Sequence, residues 1–269
     1  MRIIRYTNSM NEIQFAALNP DGSAARIVGD ADQFKLTDEA ADISRLLAPV
    51  EPPAIFAVGL NYADHAEELG LELSDYPVVF MLSPTAIQHP NAPIYLPRHL
   101  PSDEVDYEGE LGVVIRRQCK NVSKEEALDY VLGYTCANDV SARDWQFKWG
   151  GGQFSRSKTF DTFCPIGPCM ATPETIEDPG RLQLRTILND KVMQNTNTGH
   201  MHFSVAEIIS FLSGSTTLLP GTLILTGTPA GIGISQKPPV FLQPDDSVSV
   251  EIDAIGTLFN PVHEEPLEE

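Results

Sequence analysis

The chain has 269 residues, of which 42% are hydrophobic, 8% aromatic and 20% charged. This composition is typical of a globular protein and excludes a disordered, collagen-like or coiled-coil chain. With 18 basic and 37 acidic residues the net charge is −19, so the average surface repels nucleic acid and anionic membranes, and we expect neither as a partner.

The first 50 residues predict a small N-terminal domain. Two short apolar runs, Arg2–Tyr6 and Ile13–Leu18, are typical of strands. Three prolines between residues 48 and 53 predict an extended connector. We place the boundary there, so that a second domain covers residues 54–264.

The rest of the chain alternates apolar runs with turns rich in Gly and Pro. Helical spacing is confined to residues 63–69, 123–132 and 204–212, and the last two begin with a Ser-x-x-Glu capping signature. Because strands outnumber helices, we predict an α+β, mainly β architecture. The predicted strands are Ala54–Leu60, Pro77–Met81, Leu111–Ile115, Leu182–Leu188, Leu223–Leu225 and Val248–Ile252.

Cysteine usage and hydropathy indicate the compartment. The four cysteines have no CxxC spacing, which argues against a zinc site and a disulfide scaffold. The N-terminal segment is too polar for a secretory signal, and the apolar runs are too short to span a bilayer. We therefore expect a cytoplasmic protein.

Two glutamates, Glu108 and Glu110, run directly into an apolar strand. Alternate residues of a strand share a face, so the two carboxylates project together and require a cation. Oxygen ligands suit Mg²⁺, Mn²⁺ or Ca²⁺ better than zinc. An isolated Glu-x-Glu in an acidic chain more often lines a solvated face, so other motifs must decide.

Five ordered motifs provide that context. They are Val58–His65, Asp106–Leu111, Gly133–Gln146, Ser157–Phe163 and Leu225–Gly233. Together they resemble the fumarylacetoacetate hydrolase family in order and spacing. The resemblance implies a mixed β-sheet roll with flanking helices, preceded by a small N-terminal domain, and a homodimer. The sequence departs from the family pattern at Leu82 and Ser157, where members often have lysine and glycine.

The resemblance also implies a metal site. Glu108, Glu110 and Asp139 correspond to three carboxylate ligands of one divalent ion, usually Mg²⁺ and in some members Mn²⁺ or Ca²⁺. Three acidic ligands leave about half of an octahedral shell open for water and substrate. Lys158 corresponds to the family's site lysine, which stabilises developing negative charge.

His65 and Glu68 are three residues apart in the predicted helix, which places them on one face within hydrogen-bonding reach. Glu68 can hold the imidazole tautomer while His65 takes a proton from a nearby water. The family's corresponding pair lies on a lid over the active site. Without the motif an incidental pair on an exposed helix would be the better interpretation; with it, we predict a catalytic dyad.

Three further residues are candidates for substrate binding. If the stretch after Asp139 is helical, Arg143 and Gln146 lie on its metal-facing side and offer donors to a substrate oxyanion or carboxylate. Packing around the metal loop is the alternative. Thr228 resembles the family position that contacts the substrate carboxylate.

The leading hypothesis is metal-assisted hydrolysis of a carbon–carbon bond in an acylpyruvate or related 1,3-dioxo acid. The dyad would activate water, and the metal with Lys158 would stabilise the expelled enolate. The same site also serves oxaloacetate decarboxylation, keto–enol tautomerisation and isomerisation in relatives, and the fold does not choose among them. A non-catalytic scaffold is a third alternative.

Overall fold

The computed structural model describes residues 1–19, 21–29 and 34–267. Pro20 and residues 30–33, which belong to the predicted N-terminal domain, lie outside these ranges. Within them the chain is strand-dominated, which confirms the mainly β prediction. The strands are β1 (Arg2–Thr7), β2 (Ile13–Leu18), β3 (Ala24–Val28), β4 (Lys35–Ala40), β5 (Arg45–Leu47), β6 (Ile55–Gly59), β7 (Val78–Leu82), β8 (Ile87–Gln88), β9 (Ile94–Leu96), β10 (Val105–Asp106), β11 (Gly109–Ile115), β12 (Val131–Asn138), β13 (Ser141–Ala142), β14 (Cys164–Ala171), β15 (Gln183–Leu188), β16 (Lys191–Asn197), β17 (Leu223–Leu225), β18 (Ser247–Ile252) and β19 (Gly256–Glu264).

Helical structure is short and scattered between the strands. None of the helices in the described ranges combines the length and apolar character needed to span a bilayer. The α-helices are α1 (Ala63–Leu69), α2 (Ser155–Lys158) and α3 (Val205–Ser213), a π-helix covers Asp144–Trp149, and 3₁₀ turns cover Pro84–Ala86, Ala127–Tyr130, Pro179–Arg181, Thr198–His200 and Gly233–Ser235.

The largest sheet is mixed and runs in the order β4-β3-β2-β1-β14-β12-β11-β17-β6-β7. Most neighbours are antiparallel, whereas β17 and β6 are parallel. The first strands join this sheet through β1, which pairs with β14 so that Ile3 faces Met170. Strands from both predicted domains therefore share one sheet, and the boundary near residue 50 stays a prediction.

A second sheet, in the order β16-β15-β18-β19-β9, packs against the first. β11 is buried along its whole length, so both of its faces contact core. Leu111 and Val113 pack with Leu184 and Val250 of the second sheet in one cluster, while Val114 belongs to a cluster on the opposite face. Burial of each such side chain contributes about 1.5–3 kcal/mol to the stability of the folded state.

The predicted helix over residues 123–132 is wrong. Only the 3₁₀ turn Ala127–Tyr130 forms there, and β12 begins at Val131. β12 is paired on both sides, with β11 and β14, and this tertiary pairing overrides the local helical spacing. The second capping signature is confirmed: Ser204 and Glu207 form a complete capping box at the start of α3.

Candidate active site

Strand pairing brings the three acidic residues together. Glu108 lies immediately before β11, and Gly109 faces Asn138 at the end of β12. The Asn138 side-chain oxygen accepts a hydrogen bond from the Glu108 amide at 2.9 Å, and the Asp139 amide donates to the Glu108 carbonyl at 2.9 Å. The end of β12 therefore delivers Asp139 beside Glu108 and Glu110.

These three carboxylates form a buried acidic cluster. One oxygen from each of Glu108, Glu110 and Asp139 lies within 4.8 Å of the other two. Asp139 Oδ1 is buried and has no hydrogen-bond partner among the residues that the structure describes, which is costly unless a ligand occupies it. Carboxylate oxygens are the donors that hard divalent ions prefer. The residues therefore fit a divalent metal ion.

Two buried cations lie against the cluster. Lys158 Nζ donates to Glu108 Oε2 at 2.8 Å, to Asp139 Oδ2 at 2.6 Å and to Ser141 Oγ at 2.7 Å. Arg143 Nη2 lies 2.7 Å from Glu108 Oε1. Glu110 instead accepts a hydrogen bond from the Gly227 amide at 2.6 Å, and within the described residues it has no ion pair.

The charges determine the protonation of the cluster. Burial raises the pKa of Glu110 well above its usual range, and the neighbouring carboxylates Asp139 and Glu108 raise it further. Burial also raises the pKa of Asp139, to about 6. Glu108 is buried as well, but Lys158 and Arg143 lower its pKa to about 2. Glu110 is thus the carboxylate that most requires a further cation.

Arg143 reaches the cluster by a route that differs from the predicted helix. Asp139 lies in a loop before β13, and the π-helix begins only after Arg143. Arg143 Nε donates to Asp106 Oδ2 at 2.9 Å and Nη1 to Gln146 Oε1 at 2.9 Å. The guanidinium therefore positions Glu108, as the packing alternative expected, and substrate binding by Arg143 and Gln146 stays a prediction.

The Thr228 hydroxyl is committed to the protein. It donates to the Gly109 carbonyl at 3.0 Å and accepts from Gln194 Nε2 at 2.7 Å. Gln194 Oε1 also accepts a hydrogen bond from the Gly109 amide at 2.9 Å. Thr228 thus fixes the backbone between the two glutamates, and its contact with substrate stays a prediction.

Helix α1 places His65 and Glu68 on one face. His65 Nδ1 lies 3.5 Å from Glu68 Oε2, and in the described part of the chain Nδ1 has no hydrogen-bond partner. The Glu68 carboxylate instead accepts from the Gly231 amide at 3.0 and 3.2 Å. Position 231 requires glycine, because a Cβ there would lie 2.1 Å from the Met193 carbonyl oxygen.

The candidate residues converge on one pocket that opens to solvent and has a cavity volume of about 50 Å³. Among the nine predicted site residues, those that line it are His65, Glu108, Glu110, Arg143, Gln146, Lys158 and Thr228. Asp139 lies behind this lining, in contact with Lys158. Glu68 lies beside His65 and anchors α1 to the loop at Gly231.

Sequence reasoning missed Asp106 and Gln194. Asp106 is fully buried and accepts from the Gly233 and Ile234 amides at 2.7 and 3.0 Å, besides Arg143. Its position two residues before Glu108 in the same motif was an available signal. Gln194 carried no such signal, since it is distant in sequence from its three partners, Gly109, Thr228 and Pro229. The sequence departs from the family pattern at Leu82 and Ser157. Leu82 packs in the core, and Ser157 Oγ donates to the Phe154 carbonyl at 2.7 Å.

Known proteins match most of this chain. The fumarylacetoacetate (FAA) hydrolase C-terminal model matches residues 54–263. The chain is 46% identical over 218 residues to oxaloacetate tautomerase fahd2, mitochondrial, of Xenopus laevis, covering 81% of this chain and 68% of that protein.

Solved structures extend the likeness to nearly the whole chain. The 5-carboxymethyl-2-hydroxymuconate delta-isomerase of Mycobacterium smegmatis is 40% identical with a TM-score of 0.84, covering 99% of this chain and all of that one. The 2-hydroxyhepta-2,4-diene-1,7-dioate isomerase of Mycobacterium marinum is 39% identical with the same TM-score and the same coverage. The chain therefore belongs to the fumarylacetoacetate hydrolase family.

Proposed function

We propose that the protein is a divalent-metal-dependent keto–enol tautomerase of a 2-oxo acid. The observation that carries the proposal is the Lys158 ammonium, held between Glu108 and Asp139 where enolate charge would develop. The names of the relatives support proton relocation over hydrolysis, because they describe a tautomerase and two isomerases. The tautomerase alternative thus replaces hydrolysis as the leading function.

Metal binding and charge stabilisation are assigned to different residues. Glu108, Glu110 and Asp139 would hold Mg²⁺, Mn²⁺ or Ca²⁺, which supplies a Lewis acid for the oxygens of a 2-oxo acid. Lys158 stabilises negative charge on the enolate oxygen.

Proton transfer falls to helix α1. His65 carries the proton between C3 and the enolate oxygen, and Glu68 holds the imidazole in the tautomer that this requires. Gln146 and Thr228, together with Arg143, complete the carboxylate-binding side of the pocket.

Hydrolysis of an acylpyruvate is the second candidate. It needs a base to activate water in addition to enolate stabilisation, and the His65 imidazole, 3.5 Å from the Glu68 carboxylate, could supply one. Both functions use the same ion and Lys158. They differ in whether a carbon–carbon bond breaks.

The test follows oxaloacetate and acetylpyruvate by ultraviolet absorbance, with Mg²⁺ or Mn²⁺ and with a chelator, and assays pyruvate separately. We expect metal-dependent loss of the enol without pyruvate, and an inactive Glu108→Ala control. Pyruvate from acetylpyruvate would establish the hydrolase, and pyruvate from oxaloacetate a decarboxylase. No activity and no stabilisation by either ion would support the scaffold alternative.

The proposal includes a homodimer acting in the cytoplasm. Light scattering tests the first part. Cell fractionation tests the second part. The alternative is a mitochondrial location, which the name of the Xenopus laevis relative gives for that protein.

A further inference from the structure

Gln194 is a buried amide whose hydrogen bonds join two parts of the site. It lies on β16, at one end of the second sheet, and is 1% exposed. Its Oε1 accepts from the Gly109 amide at 2.9 Å, and its Nε2 donates to Thr228 Oγ1 at 2.7 Å and to the Pro229 carbonyl at 2.8 Å. Gln194 therefore contacts both the acidic motif and the turn after β17.

The backbone partners of Gln194 impose the orientation of its amide. The Gly109 N–H can only donate, and the Pro229 carbonyl can only accept. A flipped amide would place two donors together at Gly109 and two acceptors together at Pro229. Both ends of the glutamine amide are thus required, and an apolar side chain of the same length can replace neither.

Gln194 and Thr228 close a ring of hydrogen bonds on Gly109. The Gly109 amide donates to Gln194, Gln194 donates to the Thr228 hydroxyl, and this hydroxyl donates to the Gly109 carbonyl at 3.0 Å. Donors and acceptors alternate around the ring, so its bonds polarise one another. The ring fixes both peptide groups of the residue that separates Glu108 from Glu110.

The ring requires glycine at position 109. A Cβ there would lie 1.9 Å from Thr186 Oγ1 and 3.3 Å from Gln194 Oε1. Thr186 of β15 is paired with Gln194 of β16. The backbone of the acidic motif therefore lies directly on the second sheet, where Gln194 can hold it.

The turn after β17 has further anchors on either side of its contact with Gln194. The Gly227 amide donates to Glu110 Oε2 at 2.6 Å, and the Gly231 amide donates to Glu68 at 3.0 Å. Gln194 holds the middle of the turn, between these two points. Its loss should loosen the middle of the turn while helix α1 keeps its anchor.

We infer that Gln194 is a positioning residue that keeps the metal ligands Glu108 and Glu110 in register with Thr228. The inference rests on the proposed function, in which the two glutamates hold the ion and Thr228 helps to bind the substrate carboxylate. A single planar amide sets the spacing between these two binding points. A substrate that contacts the ion and the turn together requires that spacing.

The variant Gln194→Met keeps the length of the side chain and removes all of its hydrogen bonds. Calorimetry on the dialysed protein should show Mn²⁺ affinity lowered by about tenfold, as for other residues that orient metal ligands. At saturating Mn²⁺, KM for oxaloacetate should rise by about tenfold. The kcat should stay within about threefold, because Lys158 and the anchor of helix α1 are unchanged.

Asn260→Leu is the matched control for a purely structural role. Asn260 is also 1% exposed and lies on β19 of the second sheet, outside the pocket lining. Its Nδ2 donates to the His89 and Ala92 carbonyls at 2.9 and 2.8 Å. Both variants should lose stability in urea, but only Gln194→Met should bind Mn²⁺ more weakly and raise KM. Equal changes in the two variants would overturn the inference.

Thr228→Val breaks the same ring from its other side and provides a second test if Gln194→Met does not fold. It removes the donor to the Gly109 carbonyl and the acceptor of Gln194 Nε2. Mn²⁺ affinity should fall as it does in Gln194→Met, and the double variant should bind Mn²⁺ about as well as either single one. Parental Mn²⁺ affinity in Thr228→Val would overturn the inference.

Mn²⁺ binding is measured without turnover, so the inference can fail separately from the function on which it rests. Parental Mn²⁺ affinity in Gln194→Met, or a parental KM at saturating Mn²⁺, would overturn the positioning role and leave the tautomerase intact. Failure of the parent protein to accelerate tautomerisation of oxaloacetate would overturn the proposed function, and the Mn²⁺ comparison would then decide the inference.

Discussion

The acidic cluster with its two cations and helix α1 beside it are held in different ways. We call Glu108, Glu110, Asp139, Arg143 and Lys158 the charged floor; all five are buried. β11, which carries Glu110, is hydrogen-bonded to β12 on one side and β17 on the other. The positions of the carboxylates are therefore fixed by strands at the centre of the largest sheet.

Helix α1 is a short element outside the sheets. It has seven residues, and its N-cap Tyr62 makes no side-chain cap hydrogen bond. A helix of this length is marginal by itself. Glu68 anchors it to Gly231, and the Asn61 side chain bonds the Phe203 and Thr226 backbones.

Because the charged floor and helix α1 are held in different ways, substitutions in the two regions should have different effects. Substitutions in the charged floor should change stability and metal affinity together, since buried charges there neutralise one another. Substitutions on α1 should change rates with little cost in stability. The following predictions test that division, from the largest effect to the smallest.

His65→Ala should lower the tautomerisation rate by about 10²-fold, within the range of general acid–base catalysis. A metal-dependent remainder should persist because the charged floor is intact, whereas any acylpyruvate hydrolysis should be lost. Stopped-flow absorbance measures the rate, and urea unfolding should show nearly parental stability. A His65→Ala protein that works at the parent rate would contradict the dyad.

Lys158→Met should reduce the free energy of unfolding by about 3–5 kcal/mol, because it leaves buried carboxylates without their cation. Mn²⁺ should restore more stability to this variant than to the parent. Lys124→Met is the matched control: it removes a lysine from an exposed pair with Glu207 and should cost about 1 kcal/mol or less. Equal losses in the two variants would show that the floor is not electrostatically coupled.

Asp106→Asn should weaken Mn²⁺ binding by about 10–100-fold, as expected when a residue that orients a ligand is changed. Asp106 acts through Arg143, which holds Glu108. Asp144→Asn provides the control, since Asp144 is equally buried but bonds Ser102 and the backbone. Calorimetry should show altered metal affinity only for Asp106→Asn, even where both variants lose stability.

The sequence predicted the parts of the molecule that local pattern determines. β2 and β17 have the predicted bounds, and α1 forms over residues 63–69 as expected. Strand alternation alone placed Glu108 and Glu110 on one face, but other motifs were needed to decide against a solvated face. Their proximity to Asp139, about 30 residues away, came from the family resemblance, because no local signal sets the register between β11 and β12.

Long-range pairing also explains what the sequence did not predict. The segment at Ser123 keeps its capping contact, with the Glu126 amide donating to Ser123 Oγ at 3.3 Å, yet the chain turns into β12 rather than extending a helix. Gln194 lies on β16, in the second sheet, and reaches the site only because the sheets pack together. Neither the strand after Ser123 nor the position of Gln194 in the site follows from the residues within a few positions along the chain.

Helix α3 carries the cap that α1 lacks, so Ser204→Ala measures what such a cap contributes. The Glu207 amide donates to Ser204 Oγ, and the Ser204 amide donates to the Glu207 carboxylate. We expect a loss of about 1 kcal/mol in urea unfolding at neutral pH, with unchanged activity because neither residue lines the pocket.

The pH dependence of this loss provides its control. Hydrogen bonds from Lys124 and Ser204 lower the pKa of Glu207 to about 2, below its ordinary value, so the carboxylate's contribution is complete above the ordinary pKa and disappears as the pH falls toward 2. The stability difference between parent and Ser204→Ala should therefore shrink between roughly pH 5 and pH 2. A difference that stays constant over this interval would mean that the serine hydroxyl, and not the Glu207 charge, supplies the cap, and α1 would then lack only a hydrogen bond.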